Sequence, residues 1–310
     1  MNLIWPSGAE SPEIDEPVVE SPSTVSILGK TKVVAGPIPK SWTLKANNDL
    51  QAWRMEALSV ILPLLPFGSD ILQTAKASIP TFAQLCLRQL LSSYPVDEFI
   101  DHVVPYLPPH LRRDLIRRAA LHSPLSNRLL YALCEPGGHA DGELIVVGPQ
   151  ASLRSDHFQK ERSTNSQQWH EEPEPGDWDE EDDWDDQKDE RSSLISLQTI
   201  VLLSTPLSTP TFLTFPPTIT HLALISLPSA IPVHRLTDVC PLLIVLDLSY
   251  NKWLLPRTTP GSAGTDTLGM VVWGRFSRLT LLGMRCVNFD RAELSKKINH
   301  RRWTDVQIIS

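Results

Sequence analysis

The sequence predicts an α/β chain in which a helical module over residues 46–136 precedes a curved solenoid of parallel strands over 141–310. Two observations carry this expectation. A frame of apolar residues recurs with starts at 197, 219, 243, 279 and 303, so that neighbouring copies are 22, 24, 36 and 24 residues apart. Upstream, apolar residues between about 47 and 135 fall at helical spacing, punctuated by prolines and capping residues.

At 310 residues the chain can hold one or two domains with real cores. Its 27 prolines exceed the globular norm, which points to folded parts separated by unfolded ones. The net charge of −8 is local in origin: residues 171–190 hold 13 acidic side chains and one lysine, or −12, leaving about +4 for the rest. No apolar run approaches the roughly 20 residues that span a bilayer, which argues against a membrane partner. The N-terminus lacks the basic and apolar regions of a signal peptide. Cys86, Cys134, Cys240 and Cys286 lie far apart and form no C-x-x-C pair, so buried, reduced thiols in a nuclear or cytoplasmic protein are expected.

Residues 1–45 are rich in Pro, Ser, Glu and Val without periodicity and read as disordered. Asn48 can cap a helix through Leu50, Trp53, Ala57, Val60 and Ile61, and a short helical turn is expected at Ile71 and Leu72. Thr81 opens a helix carrying Phe82, Leu85, Cys86, Gln89 and Leu90. Pro95, followed by Asp97 and Glu98, starts another through Phe99, Ile100 and Val103. Pro108 and Pro109 suit the first turn of a helix through Leu111, Leu115, Ile116 and Ala119, and Ser123-Pro124 caps one through Leu125, Leu129, Leu130 and Leu133. Glu143–Val147 reads as a strand. Residues 151–192 form a polar, acidic insertion whose self-repulsion keeps it extended, with Trp169, Trp178 and Trp184 as the elements of a short docking motif or of a mere spacer.

The most regular copy of the frame runs from Leu243 through Leu246 and Leu248 to Asn251. It resembles the leucine-rich-repeat register L-x-x-L-x-L-x-x-N, in which a strand sends alternate leucines inward and the asparagine bonds open backbone groups at the bend. The interval of 36 is a 24 with an insertion of 12, and residues 256–264 are loop material of that kind. The alternative is an ordinary Leu-rich α/β domain, which has no reason to hold this spacing. The resemblance implies four or five irregular repeats whose variable positions, among them His221, Val245, Asp247, Ser249 and Arg285, face a concave partner-binding surface.

Residues 81–90, Thr-Phe-Ala-Gln-Leu-Cys-Leu-Arg-Gln-Leu, resemble the Elongin C-binding box of the Elongin A, von Hippel–Lindau and suppressor-of-cytokine-signalling families. Thr81 fits the capping slot, Cys86 the cysteine and Leu90 the last aliphatic, while Phe82 stands where those families have leucine; Leu85 shares the helix. Leu107, Pro108 and Leu111 resemble their cullin-contacting element. The resemblance implies an amphipathic helix docking in an adaptor groove. Phe82, Cys86 and Leu90 would equally serve a helical core, and an F-box-like segment is a further reading.

Catalytic signatures are missing from the sequence. Gly29-Lys30-Thr31 lacks the earlier glycine of a phosphate loop, and no H-E-x-x-H, zinc-spaced Cys/His set, G-x-S-x-G or G-x-G-x-x-G occurs. The basic clusters Arg112, Arg113, Arg117, Arg118 and Lys296, Lys297, Arg301, Arg302 read as solvated faces, which disfavours nucleic acid as a partner. The expected function is therefore non-enzymatic and free of cofactor or metal: a substrate-recognition subunit of a cullin-type ubiquitin ligase. Its helices would dock Elongin C or a Skp1-like adaptor, and its repeats an unidentified protein substrate. The alternative is a leucine-rich-repeat scaffold with no ligase role.

Overall fold

The computed structural model describes residues 48–65, 82–134, 137–158, 196–254 and 267–310. The chain divides into two units, Met1–Lys45 and Ala46–Ser310, and every described residue belongs to the second. The expected turn at Ile71 and Leu72, residue Thr81, the three acidic-tract tryptophans and the loop 256–264 lie outside the described residues.

Six short strands form one parallel sheet whose spatial order follows the sequence: β1 Glu143–Val147, β2 Thr199–Leu203, β3 His221–Ile225, β4 Val245–Asp247, β5 Leu281–Gly283 and β6 Gln307–Ile309. The expected pairing of the strand near 245 with those near 221 and 281 is present, with Leu222, Leu246 and Leu282 in one register. Alternation sends Leu144, Ile200, Leu222, Leu246, Leu282 and Ile308 to one face, where they are buried with Phe212, Phe215, Ile219, Leu243, Phe276 and Leu279 in a continuous core.

The chain turns at the same place after each of β2 to β5. Ser204, Ser226, Tyr250 and Cys286 are register equivalents, and all four adopt the left-handed conformation, with φ of 52°, 51°, 63° and 54°. That conformation costs a bulky side chain about 1–2 kcal/mol. It is offset by carrying the sheet one residue further: the amides of Gly148, Ser204, Ser226 and Tyr250 donate to Leu203, Ile225, Ser249 and Arg285 at 2.8, 2.9, 3.1 and 2.7 Å. One residue beyond, the buried Asn251 accepts from the Leu227 amide at 2.8 Å and donates to the carbonyls of Leu224 and Leu248 at 2.6 and 2.8 Å. These bonds satisfy buried backbone groups on two adjacent strand exits.

The helical segments are α1 Asn48–Leu58, α2 Phe82–Ser93, α3 Val96–His102, α4 Pro109–His122 and α5 Asn127–Cys134, followed by α6 Thr209–Leu213, α7 Leu236–Val239 and α8 Arg291–Ile298. Asn48 is the first residue of α1, and α5 begins at Asn127, two residues beyond the expected apolar entry at Leu125. Asp290 caps α8 by accepting from the amides of Ala292 and Glu293 at 2.9 and 3.1 Å. In the second unit the helical module and the sheet share one core.

Three expectations are corrected here. The cluster Arg112, Arg113, Arg117, Arg118 is no solvated face. Arg117 is 0% exposed and grips Glu143 of β1 with both ends of its guanidinium, Nε at 2.7 Å from Oε2. Arg113 pairs with Asp141, and Arg112 donates to the carbonyls of Leu107 and Val104 at 2.8 and 2.9 Å. The insertion does not begin at 151, because Ala151, Leu153 and Phe158 are buried and the Phe158 ring meets Phe215 edge-on at 5.3 Å. Finally, all four cysteines are free as expected, but Cys286 is exposed at its strand corner and Cys86 only half-buried.

Candidate functional site

Two surfaces were candidates: the box helix and the second face of the sheet. The box helix is α2. Its inner side is fixed by Leu87, which is buried, and by Leu90 and Leu91, which pack partly against the core. Its outer side carries Phe82, 82% exposed, and Leu85, 46% exposed. Residues 82 and 85 are three apart and so share a stripe one helical turn long. Cys86 is half-buried between the two sides. The box is thus split: Phe82 and Leu85 face outward, Cys86 is half-buried, and Leu90 packs partly against the core.

The second element is divided more severely. Leu107 is buried in the core and its carbonyl is held by Arg112, so it offers no side chain to a cullin. Pro108 is exposed at the N-cap of α4 and Leu111 is half-buried. The exposed apolar group at this turn is Tyr106, which the sequence frame passed over.

The second sheet face departs furthest from expectation. It carries Glu143, Ile145 and Val147, then Val201, Ala223, Val245 and Asp247, with Ser249 and Arg285 at the following corners. The helical module lies over it. Ile116 and Ala120 of α4 and Leu130 of α5 meet Ile145 and Val147, leaving an apolar cavity of about 10 Å³, room for no more than one water. Further along, Arg285 donates to the carbonyls of Glu56 and Ala57 at 2.6 and 2.8 Å and to Ser59 Oγ at 3.0 Å. The Tyr250 hydroxyl donates to Glu56 Oε1 at 2.8 Å, and Trp53 meets the Tyr250 ring edge-on. Cations at a helix C-terminus meet the negative end of its dipole, so Arg285 is well matched to α1.

Val245, Asp247 and Ser249 are therefore buried, and their assignment to an open partner surface is corrected. The register was right; the cover was not foreseen. Asp247 Oδ1 accepts from the Ser249 amide at 3.0 Å and from its hydroxyl, and Ser249 Oγ in turn accepts from the Arg285 amide at 3.0 Å. Asp247 Oδ2 has no hydrogen-bond partner. Burial pushes the Asp247 carboxyl above the ordinary aspartate range, against the opposing pull of Ser249 and Arg285. On the neighbouring strand Gly283 leaves room for this carboxylate: a Cβ there would run into Asp247 Oδ1 and force it to shift. His221 is half-buried, its Nδ1 2.9 Å from Thr220 Oγ1, and burial lowers its pKa.

Among the described residues no three His, Cys, Asp or Glu side chains are grouped to hold a metal, and no helix is long and apolar enough to cross a membrane. Burial drives the Cys240 thiol up to about 12, which leaves it inert as a nucleophile. No family model, no curated protein and no solved structure matches this chain.

Proposed function

We propose that the chain is a non-catalytic recognition subunit of a cullin-type ubiquitin ligase, built on a leucine-rich-repeat solenoid, with α2 as the helix that docks Elongin C or a Skp1-like adaptor. The repeat assignment is supported by the register-equivalent strands, the four left-handed corners and the Asn251 bonds. The observation that carries the docking reading is the placement of Phe82. A core-forming box would bury it, whereas Phe82 and Leu85 stand outward on a helix whose opposite side is anchored. Adjacent large apolar groups exposed together favour an interface. The substrate surface in this reading lies away from Val245, Asp247 and Ser249, which the helical module covers, and Leu107 has no part in cullin contact.

The experiment is a pull-down of the full chain with purified Elongin C and, separately, with a Skp1-like adaptor, comparing wild type with Phe82→Ser/Leu85→Ser. Capture of one adaptor by wild type and its loss in a variant with an unchanged melt supports the reading. A wild-type chain that captures neither adaptor overturns it. A second reading, a scaffold whose helices serve only to cover the repeat face, is favoured by the clamp of Arg285 on α1. It predicts that the double variant changes nothing.

A further inference from the structure

We propose that His157 is an acid-released latch: its neutral imidazole, set between Tyr131 and Phe158, pins the Phe158 ring in the core, and protonation at Nε2 frees both residues. The imidazole centroid lies 5.7 Å from the Tyr131 ring of α5 and 4.7 Å from the Phe158 ring, which it meets edge-on. Phe158 in turn meets Phe215 edge-on at 5.3 Å, and Phe215 lies 5.6 Å from Phe212 of α6. The row of rings thus runs from α5, through the loop that leaves β1, to α6.

Hydrogen bonds hold this loop against α5. The Tyr131 hydroxyl donates to the Ser152 carbonyl at 3.0 Å and accepts from the Arg154 amide at 2.8 Å, and Asn127 Oδ1 accepts from the Ser152 amide at 2.7 Å. The His157 amide donates to the Arg154 carbonyl at 3.3 Å, and the His157 ring donates to the Gly138 backbone. Its Nε2 is shut off from solvent and has no hydrogen-bond partner among the described residues. A neutral ring keeps that nitrogen free of a proton. An imidazolium would bury a charged N–H without an acceptor, which is the costlier state.

The groups around the ring do little to offset that cost. Arg154, of the same loop, already holds its guanidinium 3.9 Å over the Tyr131 ring. His139, from the turn before β1, accepts from the Gly142 amide through Nδ1 at 3.1 Å. Both oppose a further positive charge, whereas the exposed Asp156 favours it; α5 contributes the Tyr131 phenol and the buried Cys134 thiol. Burial chiefly, with these cations, outweighs Asp156 and the Gly138 bond and holds His157 below the ordinary value of 6.5. A ring turned out to water returns to about 6.5. The closed form is therefore favoured most above that pH, and opening gains up to about tenfold per pH unit as pH falls from there to the closed-state value. The two residues are neighbours with touching rings, so His157 cannot turn out without stripping Phe158 of an aromatic neighbour and loosening it from Phe215.

The test is NMR of the full chain between about pH 7.5 and about pH 5, the range in which histidines titrate. In wild type the NOE between the Phe158 and Phe215 rings should fade with the midpoint of the His157 ring titration. Over the same window the Arg154 and His157 amides should lose hydrogen-exchange protection by up to about tenfold per pH unit. His157→Phe keeps a ring between Tyr131 and Phe158 but cannot titrate, so its NOE should hold across the range; this separates His157 from His122, His139 and His221. An NOE that persists in wild type once His157 is protonated overturns the proposal, and so does a fade with the same midpoint in His157→Phe. Where the variant lacks the NOE even at neutral pH, the wild-type comparison decides alone.

Discussion

Arg285 Nη2 lies 2.8 Å from the carbonyl oxygen of Ala57, so a side chain at the corner after β5 closes the last turn of α1. The two residues are separated by 228 positions in the chain. Because Nη1 also reaches Glu56 and Ser59, one guanidinium fastens the helical module across the sheet face. Arg285→Ala should cost about 1–3 kcal/mol, a charged hydrogen-bond set reduced by its partial exposure. Urea denaturation measures this, and a loss below about 0.5 kcal/mol, the level of an ordinary surface substitution, would mean that the clamp adds nothing.

Asn251 makes a corresponding contribution at the exits of β3 and β4. Replacing it with alanine strands one buried amide and two buried carbonyls, at Leu227, Leu224 and Leu248. The expected destabilisation is about 2–4 kcal/mol, from buried backbone groups left without partners. Asn251→Asp keeps the acceptor but loses both donated bonds, so its denaturation midpoint should fall as well. A wild-type midpoint in either variant would contradict the role assigned to this side chain.

Asp247 gives a pH dependence of defined sign. Its carboxyl is held above the ordinary value of 3.8 in the folded chain, chiefly by burial. From that value up to the folded pKa, the folded chain binds more protons than the unfolded one, so stability falls as pH rises through the window. Asp247→Asn removes the titration. Its denaturation free energy should vary less with pH, and it should exceed that of wild type at neutral pH. Equal slopes for the two proteins would show that Asp247 keeps its unfolded pKa.

Phe158, the last described residue before the acidic run, is buried in the core. Phe158→Ala should cost about 3–5 kcal/mol, as for other buried aromatics, since the ring is 2% exposed and packs on Phe215. A deletion of 155–190 should be just as damaging, whereas one confined to 171–190 removes mainly like charges and should leave the melting temperature within a few degrees. Equal melting temperatures for the two deletions would place Phe158 outside the core.

The parts of this fold that were legible in the sequence are those that depend on near neighbours. Leu246 and Leu248 alternate with Val245 and Asp247, Asn251 follows at the bend, and the spacing near 24 sets β3 beside β4, so register and pairing could be read directly. What the sequence left hidden depends on residues far apart. Arg113 and Arg117 at helical spacing look like a solvated stripe until Asp141 and Glu143, at the entry to β1, are brought to them. Val245 and Asp247 look open until α1, roughly two hundred positions earlier, is laid over their face. Phe158 was misplaced because it sits beside a charged run and finds Phe215 only in the folded chain. For α2, helical spacing placed Phe82 and Leu85 on a common stripe, but the choice between core and surface came from the burial of Leu87 on the other side.

The claim that α2 is a docking helix is tested most directly by hydrogen exchange of the full chain with and without Elongin C. The account predicts added protection of the amides of Phe82–Ser93, with β1–β6 unchanged, because binding there covers Phe82 and Leu85 and suppresses local opening of the helix. Unaltered exchange across α2 in the presence of saturating adaptor, or protection confined to the sheet, would contradict it.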